Sequence, residues 1–235
     1  MGDYSKMAEY YNIIMTSGYY DYSKVAENIL EFYQGGSILE VGCGTGLILE
    51  KLIKQRKINK LTGIDLTQSM LDIAHDNLKY FDNIFLLNQN VVTLSLEDKY
   101  DLAFSYGGPW YFVRDNQEFY LISHICNNAD NEKGIEQLSN HIYSGGRLLL
   151  GIQGPHYDYD KEIVNGMTYA QKIRPTANGF IKDYYLLDKD KIVMSQTLNY
   201  RIYDFDDVIK MLANYGLEYQ PGQTKEKYFI EFKKN

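Results

Sequence analysis

Residues 37–46 read Ser-Ile-Leu-Glu-Val-Gly-Cys-Gly-Thr-Gly, and this stretch decides the fold. The apolar run that opens it is typical of a short buried strand, and three alternating glycines follow at Gly42, Gly44 and Gly46. Glycines let the backbone turn tightly and let a ligand approach with no Cβ in the way. Residues 47–54 predict a helix directly after the loop. A strand, a glycine loop and a helix in this order predict a ligand site at the strand's end.

A second predicted strand, residues 61–66, carries an acid, Asp65, near its end. In doubly wound folds both strand ends lie at the carboxyl edge of the sheet, where such an acid accepts hydrogen bonds from a ribose. The dinucleotide fingerprint G-x-G-x-x-G is not met, because the third glycine comes one residue early and Leu47 takes its place. Glu40 would repel a pyrophosphate but suits a ligand amino group. The residues therefore favour S-adenosylmethionine over NAD.

Strands and helices alternate before residue 154, and strands follow one another after it. Strands are predicted at 37–41, 61–66, 84–87, 102–105, 147–153, 168–173, 180–187, 192–203 and 228–232. Helices are predicted at 22–33, 47–54, 69–78, 117–125, 135–142 and 206–215, and a polar loop at 127–134. Alternation builds a parallel sheet with helices on both faces, and strands without helices between them pair antiparallel. We predict an α/β fold with a Rossmann-like, doubly wound, seven-stranded and mostly parallel sheet, and an antiparallel insertion after strand five.

The chain of 235 residues has no linker and no repeat, so we predict a single domain. Its parts are a lid with the first helix (1–34), a cofactor-binding core (35–154), an antiparallel insertion on the substrate side (155–203) and a closing helix with strands (204–235).

Composition excludes several classes of protein. The net charge is −7, from 24 basic and 31 acidic residues, which argues against a nucleic-acid partner. No apolar run reaches the roughly 18 residues of a membrane span, and the N-terminus lacks a signal-peptide pattern. Two cysteines, Cys43 and Cys126, are too few for a disulfide framework. We expect a cytoplasmic protein with no membrane partner.

At the glycine loop and Asp65 the sequence resembles the class I S-adenosylmethionine-dependent methyltransferases. The resemblance covers residues 1–155 by motif and the rest by order of elements. It implies that S-adenosylmethionine is the cofactor. The residues that the resemblance matches to the cofactor are Tyr11, Glu40, Gly42, Gly44, Gly46, Asp65, Leu66, Met70, Asn90, Val91 and Ser105. In this matching Asp65 holds the ribose, Asn90 reads the adenine amino group and Ser105 lies near the sulfonium.

The N-terminal stretch, with Asp3-Tyr4-Ser5 and later Tyr22, resembles small-molecule N-methyltransferases that act on nucleotide-linked amino sugars. In those families the segment is a lid over cofactor and substrate. They also tend to carry a histidine after the fourth strand, where this chain has Pro109. The resemblance implies methyl transfer to a small-molecule acceptor, at an amine nitrogen rather than an oxygen. It places Tyr4, Tyr22 and Tyr106 around the reacting groups.

Methyl transfer from a sulfonium requires mainly alignment, and a neutral amine needs no strong base before it attacks. His156, just past the fifth strand, is the candidate proton acceptor, and a surface histidine is the alternative. No carboxylate cluster stands near the end of the fourth strand, so we expect no metal. Two other functions stay open: a protein or tRNA methyltransferase of the same fold, and a non-catalytic S-adenosylmethionine-binding protein. A monomer and a homodimer are both compatible with the sequence.

Overall fold

The structure is a computed structural model that describes Gly2 and residues 4–18, 20–221 and 228–235, without the side chain of Asn165. Asp3 of the predicted lid and residues 222–227 of the closing segment lie outside the described residues. The helices are α1 (Ala8–Thr16), α2 (Tyr22–Phe32), α3 (Leu47–Gln55), α4 (Gln68–Leu78), α5 (Asn128–Asn140) and α6 (Phe205–Ala213). The strands are β1 (Ser37–Val41), β2 (Lys60–Asp65), β3 (Ile84–Asn88), β4 (Tyr100–Ser105), β5 (Trp110–Asp115), β6 (Glu118–Ser123), β7 (Ile142–Gln153), β8 (Tyr159–Glu162), β9 (Met167–Thr176), β10 (Gly179–Asp188), β11 (Lys191–Asp204), β12 (Leu217–Tyr219) and β13 (Phe229–Lys234).

Seven of these strands form the predicted doubly wound sheet, in the order β3-β2-β1-β4-β7-β13-β12. The first five are parallel, and β13 runs antiparallel to both β7 and β12. Helices α2 and α3 bury Val25, Ile29 and Leu49 in one hydrophobic cluster, while α5 and α6 bury Leu138 and Val208 in another. The Rossmann-like α/β fold class is confirmed.

A second sheet carries the rest of the strands and is antiparallel, in the order β5-β6-β11-β10-β9-β8. Its strand β5 pairs with the end of β7, so the two sheets meet beside the carboxyl ends of β1 and β4. The predicted antiparallel insertion after strand five is present as β8 to β11. The sheet also takes in β5 and β6, which follow strand four.

The helix predicted over 117–125 is wrong, because this segment is β6. Asn116 has a left-handed φ of 55°, which closes a tight turn between β5 and β6 and makes them a hairpin. Within Phe119–Ile122 the apolar spacing fits a strand as well as a helix, and pairing with β11 decides the outcome.

The polar loop predicted at 127–134 is also wrong, because it forms the first half of α5. The Asn127 side chain caps this helix by accepting hydrogen bonds from the N–H groups of Ala129 (2.8 Å) and Asp130 (3.3 Å). Asn131 is buried one turn later, where its Oδ1 accepts hydrogen bonds from Trp110 Nε1 (2.8 Å) and Ser123 Oγ (2.6 Å). The polar residues are therefore structural in a helix that packs against the β5–β6 hairpin.

Candidate active site

The glycine loop turns at the carboxyl end of β1, where all three predicted glycines adopt positive φ. Gly42, Gly44 and Gly46 have φ values of 78°, 52° and 79°. Asp65, at the end of β2, ties the loop to the neighbouring strand, because its Oδ2 accepts a hydrogen bond from the Gly44 N–H at 2.9 Å. Its Oδ1 accepts one from the Thr67 N–H at 2.8 Å. Both carboxylate oxygens keep further lone pairs for a ligand.

A cavity of about 590 Å³ opens beside this loop. It is lined by seven of the residues predicted to bind cofactor, namely Tyr11, Gly42, Gly44, Asp65, Leu66, Met70 and Val91. An added Cβ on Gly44 would find nothing nearer than the Tyr11 ring, at 3.8 Å, so the space above this glycine is open to a ligand. We refer to this space as the loop cavity.

Four predicted cofactor residues do not line the loop cavity; one of them, Glu40, lies in the adjoining space described below, and the other three are Gly46, Asn90 and Ser105. Gly46 is the N-cap residue of α3, and a Cβ there would stand 2.6 Å from Leu78 Cδ1. A glycine at this position therefore allows α3 to pack against α4. The Asn90 side chain accepts a hydrogen bond from the Val92 N–H at 3.0 Å and caps a short turn, while Gln89 lines the cavity instead. Ser105 is buried beneath Gly108.

A second cavity, of about 640 Å³, adjoins the first. Its lining includes Glu40, Tyr22, Tyr106 and His156, which are the remaining predicted site residues. Tyr4, Tyr11, Gly42, Gly107 and His124 line both cavities and so form their common wall. We refer to the second space as the sheet cavity, because the antiparallel sheet supplies its far side.

Glu40 is the acidic group of the sheet cavity. Its side chain is only 2% exposed, and its Oε2 has no hydrogen-bond partner in the described part of the chain. Burial, followed by the nearby charge of Asp65, raises the pKa of the Glu40 carboxyl well above its ordinary value. A buried carboxyl with an unused oxygen suits a positively charged ligand group, which would supply the missing donor.

Sequence reasoning missed a cluster on the far side of the sheet cavity. Lys182, on β10, places its Nζ 3.4 Å from His156 Nδ1, and His156 Nε2 lies 2.9 Å from the hydroxyl of Tyr111. Tyr200 adds its hydroxyl, 2.6 Å from that of Tyr184. Along β10 the buried even-numbered positions include Phe180, Lys182, Tyr184 and Leu186. This period-two pattern is the signal that could have found Lys182.

His156 of this cluster and His124 of the common wall are both neutral. Burial, then the charge of Lys182, lowers the pKa of His124 and of His156 to about 3. The sequence places His124 on a helix, but it follows β6 in the common wall and its ring lies 4.6 Å from that of Tyr200. His75, on α4, is exposed.

Residues 4–18 cover the two cavities from the N-terminal side. The Tyr4 N–H donates to Thr67 Oγ1 at 3.3 Å, and the Tyr4 hydroxyl lies 3.2 Å from that of Tyr200. The Thr45 hydroxyl donates to Asn12 Oδ1. The segment therefore touches the loop, α4 and the antiparallel sheet at once.

Two further features bear on function. Across the described ranges, no group of three or more His, Cys, Asp or Glu residues could hold a metal ion. No helix in the same ranges has the length and apolar character to cross a membrane. Cys43 and Cys126 are both free thiols.

Comparison with known proteins shows what the core of the chain resembles. Residues 38–127 match the model of a family described as a methyltransferase domain. This range includes the glycine loop, Asp65 and the strand ends that line the loop cavity. This part of the chain is therefore similar in sequence to methyltransferase domains. S-adenosylmethionine is the cofactor of that family, as the loop and Asp65 predict.

Individual relatives are distant. Malonyl-[acyl-carrier protein] O-methyltransferase 1 of Ilyobacter polytropus is 28% identical over 156 residues, which are 62% of this chain and 57% of the relative. The match thus spans little more than half the length of that relative. A solved S-adenosylmethionine-dependent methyltransferase from Clostridium acetobutylicum is 20% identical, with a TM-score of 0.72 over 99% of both chains. The sugar N-methyltransferase KedS8 from Streptoalloteichus sp. is 17% identical, with a TM-score of 0.67 over 96% of this chain and 93% of that one. The two structures share the fold of this chain.

The residues present fit S-adenosylmethionine. The Glu40 oxygen without a partner suits the ammonium of the methionine part, and the open space over Gly44 lets the ligand lie against the loop. Asp65 keeps acceptor capacity for ribose hydroxyls. Leu66 and Met70 give an apolar surface for adenine. The bound cofactor would supply a methyl carbon already activated by its positive sulfur.

Proposed function

We propose that this protein transfers the methyl group of S-adenosylmethionine to a nitrogen atom of a small-molecule acceptor. The adjacency of the loop cavity and the sheet cavity carries this proposal, because Tyr4, Tyr11, Gly42, Gly107 and His124 line both. A cofactor in the first space and an acceptor in the second would meet at this common wall. Holding two reactants in line accounts for most of what such an enzyme must do.

The covering of the sheet cavity favours a small acceptor. Tyr4 and Tyr11 close it on the N-terminal side, and the buried side chains of Lys182, Tyr184 and Tyr200 close it on the side of the antiparallel sheet. A macromolecular acceptor would have to insert a side chain or a base through this covering. The likeness of fold to the sugar N-methyltransferase KedS8 supports the same conclusion.

The acid–base properties of the sheet cavity favour nitrogen over a hydroxyl. A neutral amine attacks without prior deprotonation, whereas an alcohol or phenol must lose a proton. The pKa of about 3 makes His156 a very weak proton acceptor at neutral pH. Burial raises the pKa of Tyr184 and Tyr200 well above the ordinary value, so these hydroxyls stay protonated.

A carboxylate oxygen is the second candidate acceptor. A carboxylate is already deprotonated at neutral pH, so it also needs no base. The malonyl-[acyl-carrier protein] O-methyltransferase of Ilyobacter polytropus is a relative by sequence, and the buried Lys182 provides positive charge in the sheet cavity.

The test is methyl transfer from S-adenosylmethionine with a labelled methyl group. Amines, carboxylic acids, a protein extract and bulk tRNA serve as acceptors, and mass spectrometry locates the added methyl. We expect label on the nitrogen of a small amine, and none with a Gly44→Val control that cannot hold the cofactor. Label confined to protein or tRNA would contradict the proposal. Cofactor binding without transfer to any acceptor would support the non-catalytic alternative.

A further inference from the structure

Lys182 combines a positive charge with deep burial. Its side chain is 2% exposed and lines the sheet cavity, and among the lysines that the structure describes it alone is buried. It points inward because it occupies the same face of β10 as Phe180 and Tyr184. A buried ammonium loses its hydration, and this loss disfavours the charged form unless an anion or several acceptors compensate for it.

The contacts of Lys182 compensate for that loss only in part. Its Nζ lies 3.4 Å from His156 Nδ1 and 4.8 Å from the centroid of the Tyr184 ring. None of the ion pairs within the described ranges includes Lys182. An ammonium has three N–H donors, so one neutral imidazole nitrogen uses only part of its capacity.

The groups that face Lys182 from the neighbouring elements are neutral at physiological pH. His156 follows β7 and His124 follows β6, and burial together with Lys182 lowers the pKa of each to about 3. Tyr184 on β10 and Tyr200 on β11 have pKa values raised well above the ordinary value by burial. Burial alone lowers the pKa of Lys182, to about 7, with no carboxylate acting against it.

Glu40, the carboxyl of the same cavity, does not serve as the missing anion. Its pKa is raised by its own burial and by Asp65, and the charge of Lys182 does not counteract this. Among the described residues no ion pair joins the two groups. The carboxyl stands beside the glycine loop at the end of β1, and the ammonium stands on β10 of the antiparallel sheet.

We propose that Lys182 binds an anionic oxygen-acid group, a carboxylate or a phosphate, of the methyl acceptor. This inference rests on the proposed function in that the acceptor occupies the sheet cavity. The acceptor then has two groups. One is the amine or carboxylate that receives the methyl group, and the other is an anionic group distant from the cofactor, through which Lys182 selects this acceptor over a neutral analogue. The bound anion keeps Lys182 protonated, so binding near and above pH 7 takes up a proton.

The experiment measures binding separately from turnover. The protein is saturated with S-adenosylhomocysteine, and calorimetry follows the binding of amines in pairs that differ in the anion. Tyrosine with tyramine tests a carboxylate, and O-phosphoethanolamine with ethanolamine tests a phosphate. We expect at least one anionic member to bind tenfold or more tighter than its neutral partner. Its affinity should fall as the pH rises above 7, and binding should take up a proton from the buffer.

Lys182→Met removes the charge at nearly constant length and should abolish this preference together with its pH dependence. Lys182→Arg should retain part of the preference. The matched control is Lys191→Met, an exposed lysine on the neighbouring strand β11, which should behave as wild type. If only one of the two ligand pairs shows the preference, that pair identifies the anion: tyrosine over tyramine indicates a carboxylate, and O-phosphoethanolamine over ethanolamine indicates a phosphate.

Several outcomes would overturn the inference. One is an unchanged preference in Lys182→Met, and another is the absence of any preference in the wild-type protein at millimolar ligand. A third is weaker binding of S-adenosylhomocysteine itself by Lys182→Met, which would assign the lysine to the cofactor. Equal loss of turnover with anionic and neutral acceptors would make Lys182 a proton acceptor instead. Failure of methyl transfer with intact anion binding would contradict the proposed function and leave this inference standing.

Discussion

At the scale of single residues, the buried carboxyl of Glu40 suits the cofactor but lowers the stability of the cofactor-free protein at neutral pH. Burial raises the pKa of its carboxyl in the folded state, so the folded protein holds this proton more tightly than the unfolded chain does. The protonated Glu40 carboxyl leaves the free energy of unfolding at its full value below about pH 4.3, the pKa of a glutamate in the unfolded chain. This free energy falls as the pH rises toward the pKa of Glu40 in the folded protein. Glu40→Gln should therefore raise the melting temperature of the cofactor-free protein at pH 7, by about 2–4 °C for each kcal/mol regained. Scanning calorimetry at pH 4 and pH 7 measures this gain, which should shrink at the lower pH.

The same variant should bind S-adenosylmethionine more weakly, because a neutral amide pairs less well with an ammonium. Glu231→Gln is the matched control, since Glu231 is equally buried but already paired with Arg147. Its substitution should lower the melting temperature and leave cofactor affinity unchanged. A lower melting temperature for Glu40→Gln at pH 7 would contradict the assignment.

Asp65 is the residue that the sequence assigns to the ribose. In the structure it also holds the N–H groups of Gly44 and Thr67, so its removal acts on the ligand and on the loop together. Asp65→Ala should weaken S-adenosylmethionine binding by about 1.5–3 kcal/mol, the range for a hydrogen bond to a charged group. Titration calorimetry measures this loss, with the exposed Asp76→Ala as control. Equal affinity in folded Asp65→Ala protein would refute the ribose role.

His156 allows the two catalytic modes to be distinguished. A general base contributes about 10²–10⁴-fold, and its pKa must lie near the working pH. Because burial and Lys182 hold the pKa of His156 at about 3, we expect His156→Ala to lose only a few-fold in kcat. The pH profile of kcat should show no inflection that this variant removes. A fall of a hundredfold or more would assign proton abstraction to His156 and contradict catalysis by alignment.

The residues of the loop cavity were predictable because their signal is local in sequence. Gly42 and Gly44 follow β1 and Asp65 ends β2, so the glycine spacing and the acid together indicate a cofactor site. Lys182 and Tyr200 were missed because they reach the cavity from β10 and β11, far along the chain. Their placement depends on which face of the antiparallel sheet turns inward, and sequence periodicity gives the alternation but not the direction.

At the scale of elements, the loop between β1 and α3 combines backbone strain with ligand space. Gly44 has a φ of 52°, a conformation that costs a residue with a Cβ about 1–2 kcal/mol. The added Cβ of Gly44→Val would lie 3.8 Å from the Tyr11 ring, so the valine methyl groups would enter the loop cavity, which both residues line. We expect native circular dichroism and no measurable binding of S-adenosylmethionine.

Gly145→Val is the control for the strain alone. Gly145 has a φ of 81° near the start of β7, a Cβ added there would meet no atom within 4 Å, and the residue lines neither cavity. This variant should lose a similar amount of stability and keep full cofactor affinity. Retained binding in Gly44→Val would show that the loop only turns the chain.

Strands β1 and β2 could be predicted because they are buried on both faces and read as short apolar runs before glycine or polar residues. The β5–β6 hairpin could not, because its apolar positions suit both periods and its pairing partner β11 lies about 80 residues later. The first half of α5 was not predicted, because its residues are polar. Asn131, for example, makes buried hydrogen bonds to partners that only the tertiary structure brings together.

At the scale of the whole molecule, the N-terminal segment joins the two halves of the site. Tyr4 contacts Thr67 on one side and Tyr200 on the other, and Lys161 donates a hydrogen bond to the Ser17 carbonyl. Two side chains of the segment itself, Met7 and Ile14, are buried. These contacts favour a cover that excludes water and aligns the acceptor, and such a cover acts on the transition state more than on the bound cofactor.

Removal of residues 1–20 should therefore leave cofactor binding within a few-fold and reduce turnover by orders of magnitude. The central sheet begins at β1, so the truncated protein should fold, although the loss of Met7 and Ile14 will lower its melting temperature. Calorimetry with S-adenosylhomocysteine and single-turnover methyl transfer measure the two effects on one preparation. Tyr4→Phe is the matched variant: it removes only the hydroxyl near Tyr200 and should cost a few-fold, because the ring still closes the common wall. A truncated protein that turns over at the full rate would show that the segment covers the site without taking part in alignment.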